Sequence, residues 1–403
     1  MINKPFCAWR PLPGHEKDVA DVPYDVVDTL EAKGRVDGRP WSILRITRPE
    51  VNFERSAPQY SPDEYDAAAG LFDEWCSAAP LIRDESPSFS VYRLRWGQHE
   101  QCGIVACLHR DDYLNNRIRV HERTRRDKEE DRTRHIAALR ADTGPVFLMH
   151  RGSDALRALT AAATSAAPVS KLNADGVEHT VWRVDGFHAE MQQALEDLAV
   201  CYIADGHHRA SAAVRAAEFF PAEMADPDGA PNWIMAVIFP AAELKVLPYH
   251  RLVSGMSEND RNTFLERLGR QVDVAAVASD EAPARGECNM YFDGQWYRVG
   301  LESDSQAAPA DRLDVAILQQ HVLAPLLGIE DPRADERIRF VGGIHSAADI
   351  QRMVDDGQAD MAFIMHPVTV EDVMDIADCG GIMPPKSTWF EPKLRSGLFV
   401  HSF

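Results

Sequence analysis

Residues 202–213, YIADGHHRASAA, predict a strand that turns directly into a helix, and no other stretch restricts the fold as closely. The apolar run before Asp205 favours a strand, Asp205-Gly206 favours a tight turn, and the Ala-rich run favours a helix. A helix start has backbone N–H groups without intrahelical partners, so it attracts anions. Gly206 permits the backbone shape that this turn needs. The stretch therefore predicts an anion-binding turn.

The side chains of this turn have chemistry that suits a phosphate site. Arg209 can bind a phosphate or carboxylate through two parallel hydrogen bonds. His207 or His208 can act as a general acid or base near neutral pH, and Asp205 can orient the turn or hold a metal ion. The alternative interpretation is a polar turn in which Asp205 caps the helix. The five residues together favour a functional site.

Strand and helix patterns alternate irregularly along the rest of the chain. Apolar–polar alternation and short apolar runs predict strands at 89–97, 101–110, 180–186, 233–240, 289–301 and 361–367. Helical spacing of apolar residues predicts helices at 61–78, 188–199, 260–271, 312–328 and 369–381. Ser61 and Glu64 predict a capping box at the start of the first helix. Because no regular βαβ order emerges, we expect an α+β fold with mixed sheets.

The length of 403 residues is sufficient for more than one domain, and 45% hydrophobic residues can form a substantial core. The Ala- and Ser-rich residues 159–176 and the polar residues 279–287 are candidate boundaries. We expect an N-terminal α+β region at 1–160, a central region with the DGHHR turn at 161–300, and a C-terminal module at 301–403.

Net charge and cysteine usage argue against several classes of protein. The formal charge of −20 argues against nucleic-acid binding, which needs a basic surface. Seven cysteines without a CxxC pair, no signal peptide and no membrane-spanning apolar run predict a cytoplasmic protein. The histidines and cysteines lack the spacing of a zinc site. A Mg²⁺ site needs few dedicated protein ligands, so the sequence does not exclude one.

A dense basic cluster at 119–136, RVHERTRRDKEEDRTRHI, is unusual in this acidic chain. At helical spacing, its basic residues form one stripe: His121, Arg125, Lys128 and Arg132. Glu122, on another face, is a candidate base or metal ligand. The alternative is a solvated helix with internal ion pairs. We expect the stripe to contact an anionic substrate.

Residues 381–398, GIMPPKSTWFEPKLRSGL, predict a rigid polar segment. Two prolines stiffen its start. Its candidate anion-binding residues are Lys386, Ser387, Thr388, Lys393 and Arg395. We expect a flap that brings Lys386 to a negative ligand. The alternative is a tail that Trp389 and Phe390 fix to the core.

Two weaker patterns are also candidates. Tyr24, Asp25, Arg45 and Arg48 are expected at strand ends within 21–27 and 43–50. The glycine pair at 342–343 follows a predicted strand, as a phosphate-binding turn would. Neither a Walker A nor a Rossmann glycine motif is present to support a standard nucleotide site.

Several strings together resemble domain-of-unknown-function family 1015: VPYDVV, ITRPE, HERTRRDKEEDR, YIADGHHR, LDVAILQQHVLAPLLGI, RIRFVGG and MPPKSTWFEPKLRSGL. The DGHHR turn is also similar to the signature of the ParB/sulfiredoxin-like fold, especially its free-serine kinases. This second resemblance implies a nucleotide-binding core in which Asp205, Gly206, His207, His208 and Arg209 bind phosphates, with extra α/β elements around it. In those kinases a separate glutamate is the base.

These observations together favour a nucleotide-dependent phosphotransferase that acts on a small hydroxyl-bearing metabolite such as serine. We expect ATP or ADP with Mg²⁺, and Glu122 as the base that deprotonates the hydroxyl. One alternative is a phosphatase of a small phosphomonoester such as phosphoserine, and another is a non-catalytic nucleotide-binding regulator. The expected partners are a small-molecule substrate and a nucleotide. No membrane association is expected, and the sequence does not decide whether the protein forms a homo-oligomer.

Overall fold

Short strands and helices follow one another without a fixed order in the computed structural model, which describes residues 1–53, 60–277 and 282–403. The strands are β1 (Asn3–Lys4), β2 (Trp9–Pro11), β3 (Leu81–Arg83), β4 (Ser90–Trp96), β5 (His99–His109), β6 (Ile118–Arg119), β7 (Ala141–Asp142), β8 (Val146–His150), β9 (Ser170–Ala174), β10 (Val177–Arg183), β11 (Cys201–Asp205), β12 (Trp233–Pro240), β13 (Lys245–Leu247), β14 (Tyr249–Val253), β15 (Val274–Val277), β16 (Glu287–Phe292), β17 (Gln295–Gly300), β18 (Ile338–Gly342), β19 (Met361–Met365), β20 (Trp389–Glu391) and β21 (His401–Ser402). The α-helices are α1 (Glu16–Val19), α2 (Thr29–Val36), α3 (Leu44–Thr47), α4 (Pro62–Ser77), α5 (Arg110–Leu114), α6 (Arg126–Leu139), α7 (Asp154–Thr164), α8 (His188–Glu196), α9 (His207–Ala216), α10 (Pro221–Met224), α11 (Glu258–Leu268), α12 (Asp314–Leu318), α13 (Ala324–Leu327), α14 (Ala347–Asp355) and α15 (Val370–Asp378).

The chain divides into two compact units. The first unit comprises Met1–Leu244 and Pro392–Phe403, and the second comprises Lys245–Glu391. The first therefore contains β1–β12, β21 and α1–α10, and the second contains β13–β20 and α11–α15. The division into the regions 1–160, 161–300 and 301–403 stays a prediction, and its candidate boundary at 279–287 lies partly outside the described residues.

The first unit is built on a mixed sheet with the strand order β6-β11-β8-β12-β5-β4-β10-β9, and β1 pairs with β5. Strand β12 pairs parallel with β8 and antiparallel with β5. Its residues 233–239 are buried on both faces of the sheet, which explains its continuous apolar sequence WIMAVIFP. Helices and mixed sheets occur together, so the predicted α+β fold class is confirmed.

Small residues allow α9 to pack closely inside this unit. Ala210, Ala212, Ala213 and Ala216 are all buried in the core that also covers one face of the sheet. The helix packs against α6, which carries part of the basic cluster. Because β11 lies inside the sheet between β6 and β8, the end of β11 fixes where α9 begins. The core therefore holds the DGHHR turn in place.

The second unit contains an antiparallel sheet with the strand order β15-β17-β16-β19-β14-β18. Strands β16 and β17 form a hairpin through Asp293 and Gly294, which both have positive φ angles of 48° and 75°. Two-residue hairpin turns of this kind favour Asp-Gly because glycine adopts positive φ without strain. The predicted strands at 289–301 and 361–367 agree with these elements. None of the helices in the described residues has both the length and the apolar character required to cross a membrane.

The basic cluster does not form one continuous helix, so the predicted stripe is wrong. The helix α6 begins only at Arg126, and residues 120–125 form a loop after β6. Arg125 has extended φ and ψ angles of −83° and 127° at the helix start. His121 and Arg125 therefore do not lie on a helical face with Lys128 and Arg132.

Two other local predictions are also wrong. The side chain of Ser61 does not accept a capping hydrogen bond at the start of α4, and Glu64 accepts from the backbone N–H of Tyr60 at 3.0 Å. The segments expected to be strand ends are helical turns: Tyr24–Val26 is a 3₁₀ turn, and Leu44–Thr47 is α3. Arg48 stabilises the 3₁₀ turn by donating to the carbonyls of Tyr24 and Val27 at 2.8 and 2.7 Å.

A buried ion network joins distant segments of the first unit. Asp21 is fully buried and accepts hydrogen bonds from Arg35 at 2.9 Å, Arg39 at 2.5 Å and Ser42 at 3.0 Å. The backbone of Asp21 also pairs with that of Ser396, so the carboxylate helps to hold the C-terminal segment. Both guanidinium groups remain near the surface, so they can be hydrated if the carboxylate is removed.

We predict that Asp21→Ala lowers the free energy of unfolding by about 3 kcal/mol, because it removes the buried acceptor of two guanidinium groups. Urea denaturation followed by circular dichroism measures the change. The exposed Asp185 provides a matched control, and Asp185→Ala should change the stability by less than about 0.5 kcal/mol. Equal stabilities of the two variants would contradict this role of Asp21.

Candidate functional site

The DGHHR turn joins β11 to α9, as the sequence predicts. Gly206 has a φ angle of 94° and is the residue that precedes the first turn of α9. It has no side chain, so no side-chain hydrogen bond caps the helix start. The first backbone N–H groups of α9 have no intrahelical acceptors and point out of the helix end. The alternative in which Asp205 caps the helix is therefore wrong.

Asp205 instead pairs with two cations. Its carboxylate accepts from Arg209 Nη2 at 2.7 Å and from Lys393 Nζ at 3.3 Å. Burial acts to raise the pKa of Asp205, but the charges of Lys393 and Arg209 outweigh it and lower the pKa to about 2. Asp205 is therefore ionised at neutral pH. Lys393 comes from the C-terminal segment of the first unit, 188 positions along the chain.

Two buried histidines meet beside the turn. The rings of His121 and His207 are perpendicular, with centroids 4.5 Å apart. Burial lowers the pKa of His121 to about 4, and burial followed by the charge of His121 lowers the pKa of His207 well below its ordinary value. Both imidazoles are therefore neutral at pH 7. Within the part of the chain that the structure describes, His207 Nε2 is buried without a hydrogen-bond partner.

Glu122 lies at the open side of this histidine pair. Its Oε2 is 4.0 Å from His207 Nδ1, and its side chain is 47% exposed. A carboxylate that is partly exposed at this position can reach a bound substrate. The structure thus brings Glu122, His121 and His207 together.

His208 and Arg125 are connected through the backbone. The N–H of Arg125 donates to His208 Nε2 at 3.0 Å, which joins the loop before α6 to the start of α9. The side chain of Arg125 pairs with Asp127 at 2.8 Å and is largely exposed. Burial lowers the pKa of His208, and the carboxylate of Asp25 opposes this shift. Arg125 and His208 therefore lie at the same edge of the site.

Arg209 is buried and faces the protein. Its Nη1 donates to the carbonyl of Pro145, and its Nη2 donates to Asp205. Burial acts to lower the pKa of Arg209, and the carboxylates of Asp25 and Asp205 outweigh burial and raise it. Its Nε is buried without a hydrogen-bond partner among the described residues. Arg209 therefore positions Asp205 rather than presenting an open guanidinium fork.

The other members of the basic cluster contact the protein. Lys128 donates to the hydroxyl of Tyr60. Arg132 is buried, pairs with Asp131 at 2.7 Å and donates to the carbonyl of Thr47 at 2.9 Å. Its guanidinium also lies 4.3 Å from the ring of Tyr24. Arg132 is therefore a structural residue in this geometry, and a phosphate contact for it stays a prediction.

Residues of the predicted C-terminal flap belong to different units. Arg395 is buried in the first unit, where it pairs with Asp175 at 2.6 Å and donates to His179 at 3.3 Å. Lys393 also belongs to the first unit, whereas Lys386, Ser387 and Thr388 belong to the second. Lys386 lies over the ring of Tyr249 at 5.3 Å. Closure of a flap over the DGHHR turn stays a prediction.

The sequence analysis missed one buried carboxyl group of the first unit. Burial raises the pKa of Asp142 to about 7, although the charge of Arg209 partly opposes the shift. Asp142 follows α6 in the string ALRADTGP, which has no motif that indicates a site. Asp25 was a weak candidate, and its effect on His208 and Arg209 supports a position near the turn.

Metal binding by the protein alone is not indicated. Within residues 1–53, 60–277 and 282–403, no group of three or more His, Cys, Asp or Glu side chains is arranged to hold a metal ion. Asp205 is already paired with two cations.

Comparison with family models identifies residues 4–316 as a match to the protein family of unknown function DUF1015. The chain belongs to the DUF1015 family. The match includes the DGHHR turn and the 119–136 cluster, and it ends before the 381–398 segment. No curated protein matches this DUF1015 chain.

Several solved structures resemble this DUF1015 protein at low identity. A conserved hypothetical protein from Pyrococcus furiosus is 16% identical, with a TM-score of 0.37 over 73% of this chain and 95% of that chain. A free serine kinase in complex with AMP is 14% identical, with a TM-score of 0.37 over 73% and 92%. A C-terminally truncated SbnI from Staphylococcus aureus is 10% identical, with a TM-score of 0.36 over 72% and 85%. A ParB/sulfiredoxin-like core stays a prediction.

We predict that Gly206→Ala destabilises this DUF1015 protein by about 1–2 kcal/mol, because alanine resists a positive φ. The added Cβ would also lie 2.9 Å from Arg209 Cζ. Gly34→Ala is the matched control, since Gly34 lies in α2 with nothing within 4 Å of the added Cβ. Thermal unfolding measures the stability of both variants. A Gly206→Ala variant as stable as the wild type would contradict the requirement for a positive φ at this turn.

We predict that Lys393→Met lowers the stability by about 1–3 kcal/mol at pH 7, because it leaves a buried carboxylate with one cation fewer. The pKa of Asp205 is lowered on folding, so its ionised form stabilises the protein above pH 4 and loses this effect as the pH falls towards 2. The stability difference between wild type and variant should therefore narrow as the pH falls below about 4. Lys17→Met, at an exposed position, is the control. A stability difference between wild type and Lys393→Met that increases as the pH falls would contradict the ion pair.

Proposed function

We propose that this protein is a nucleotide-dependent phosphotransferase that acts on the hydroxyl group of a small metabolite. The observation that carries this proposal is the start of α9, where backbone N–H groups without a side-chain cap lie beside two neutral histidines and Glu122. Phosphoryl transfer needs positioned donors and one base more than it needs covalent chemistry. These groups supply both.

The first turn of α9 would hold the phosphate groups of ATP or ADP. A helix start binds phosphate through its N–H groups and its dipole, without a dedicated cation. This matters because Arg209 and Lys393 are engaged by Asp205. His208 and the backbone at Arg125 lie at the same edge and would contact the nucleotide next.

Glu122 would be the general base. Its carboxylate is partly exposed, and its Oε2 lies 4.0 Å from Nδ1 of the neutral His207. A base removes the proton from the acceptor hydroxyl as the new P–O bond forms and the leaving phosphate departs. His207, whose Nε2 is buried without a partner among the described residues, would donate or accept a hydrogen bond to orient the reactants.

Mg²⁺ fits this site as an ion held mainly by phosphate oxygens. The described residues offer no three-ligand cluster, and Mg²⁺ bound to a nucleotide needs only one or two carboxylates. When bound, it would neutralise charge on the transferred phosphoryl group. Glu122, whose Oε2 lies 4.0 Å from His207, and Asp25, whose charge acts on His208, could contact it or its water shell.

We predict that Glu122→Gln lowers the rate of phosphotransfer by about 10²–10⁴-fold, because the amide cannot accept the hydroxyl proton. The measurement is formation of phosphorylated product from ATP or ADP, Mg²⁺ and a panel of hydroxyl-bearing amino acids. The variant should bind nucleotide with unchanged affinity in titration calorimetry, since the phosphate contacts remain.

Glu190→Gln is the matched control for that experiment, because Glu190 is exposed in the first turn of α8. It should retain wild-type activity. Absence of product with every acceptor and both nucleotides would contradict the proposal. Release of inorganic phosphate from phosphoserine without any nucleotide would show that the protein is a phosphatase instead. Nucleotide binding without turnover would indicate a regulatory role instead of phosphotransfer.

A further inference from the structure

One buried arginine of the second unit has no carboxylate partner within the described ranges. Arg251, on β14, is only 3% exposed. Buried guanidinium groups are almost always paired, because removing a charge from water is costly. The other buried arginines of the described residues follow this rule, and each pairs with an aspartate at 2.6 or 2.7 Å: Arg132, Arg209 and Arg395. Arg251 is the exception, so its surroundings lack an anion.

Neutral groups surround the guanidinium of Arg251. Its Nη1 donates to the carbonyl of Tyr249, and its Nη2 donates to the carbonyl of Lys386 at 3.3 Å. The ring of Phe340 lies 5.4 Å from its Cζ. Burial lowers the pKa of Arg251 to about 10, and no carboxylate of the described chain opposes this shift. The guanidinium is still charged at neutral pH, and the two carbonyls use two of its five N–H donors.

A second cation belongs to the turn that contacts Arg251. Lys386 is exposed and has a φ angle of 53°, a conformation that residues with a side chain rarely adopt. Its Nζ lies 5.3 Å from the ring centroid of Tyr249, and no carboxylate in the described part of the chain forms an ion pair with it. The carbonyl of Lys386 contacts the guanidinium while its side chain is exposed. Arg251 therefore lies one residue below the surface.

Aromatic packing holds this turn against the sheet of the second unit. Trp389 makes an edge-to-face contact with Tyr249, with ring centroids 5.1 Å apart. Its ring also lies on Gly342 of β18, where an added Cβ would be 2.7 Å from Trp389 Cζ3. The carboxylate of Glu391 accepts from Trp389 Nε1 at 2.7 Å, so the indole engages this neighbouring anion. Packed side chains thus fix the turn that carries Lys386.

We propose that the second unit binds a dianionic phosphate group between the guanidinium of Arg251 and the ammonium group of Lys386. The guanidinium N–H groups that the carbonyls do not use would donate to phosphate oxygens, and Lys386 would add a second positive charge from the solvent side. Two cations balance the charge of about −2 that a phosphate monoester approaches at neutral pH. The site contains none of the residues proposed for phosphotransfer in the first unit.

The test is titration calorimetry of the full chain with inorganic phosphate at about pH 7.5 and constant ionic strength. Saturating ADP is present, so that a nucleotide site at the start of α9 is filled. Phosphate should bind with a dissociation constant of about 1 mM or lower, and the monoanion acetate should bind at least about tenfold more weakly. Lys386→Met, at an exposed position, should fold normally and weaken phosphate binding at least about tenfold. Arg270→Met is the matched control, because it removes an exposed cation of the same unit, and it should bind phosphate like the wild type.

Arg251→Met tests the buried cation. It should abolish the increase in thermal midpoint that about 10 mM phosphate gives the wild type. Without phosphate, its midpoint should fall less than that of Arg395→Met, because Arg395 pairs with Asp175 and Arg251 leaves no carboxylate unpaired. If Arg251→Met does not fold, Lys386→Met decides the question.

Glu122→Gln should bind phosphate like the wild type, so failure of the phosphotransfer proposal would leave this result unchanged. No phosphate binding by the wild type at about 10 mM would overturn the inference. Equal phosphate binding by the wild type and Lys386→Met would also overturn it, since the phosphate would then be bound elsewhere.

Discussion

The geometry of the turn depends on the ionised carboxylate of Asp205, which is held between Arg209 and Lys393. This contact joins the end of β11, the first turn of α9 and the C-terminal segment of the first unit. Its desolvation is costly, and two cations offset it. Because the carboxylate of Asp205 pairs with the side chains of Arg209 and Lys393, it does not cap the helix. The backbone N–H groups after Gly206 therefore stay available to a ligand.

The proposed binding of a phosphate at the start of α9 would rely less on cationic side chains than the sequence suggests. Arg209, Arg132 and Arg395 are buried and pair with Asp205, Asp131 and Asp175. Backbone N–H groups and uncharged imidazoles remain as the donors at the helix start. This arrangement agrees with a chain of formal charge −20, in which most basic side chains have acidic partners. As a phosphate site, this arrangement would favour phosphates whose charge is already partly neutralised by a bound cation.

Local sequence patterns predicted strands and helices. They did not predict which residues contact each other when these lie far apart in the chain. The strand that ends at Asp205 and the helix that begins after Gly206 could be predicted directly. Their signals are an apolar run, the glycine and the Ala-rich sequence that follows it. The partners of Arg395 lie more than 200 positions away, and no local pattern indicates them. The charged run 119–136 has helical composition throughout, yet the pairing of Arg119 with β11 and the contact of Arg125 with His208 keep its first part out of the helix.

The most direct measurement is a crystal structure of the protein grown with ADP and Mg²⁺. A phosphate oxygen should lie within hydrogen-bond distance of the backbone nitrogens of His207, His208 or Arg209, with the carboxylate of Glu122 facing the terminal phosphate. Nucleotide bound elsewhere, with the start of α9 empty or covered by protein groups, would contradict the phosphate site.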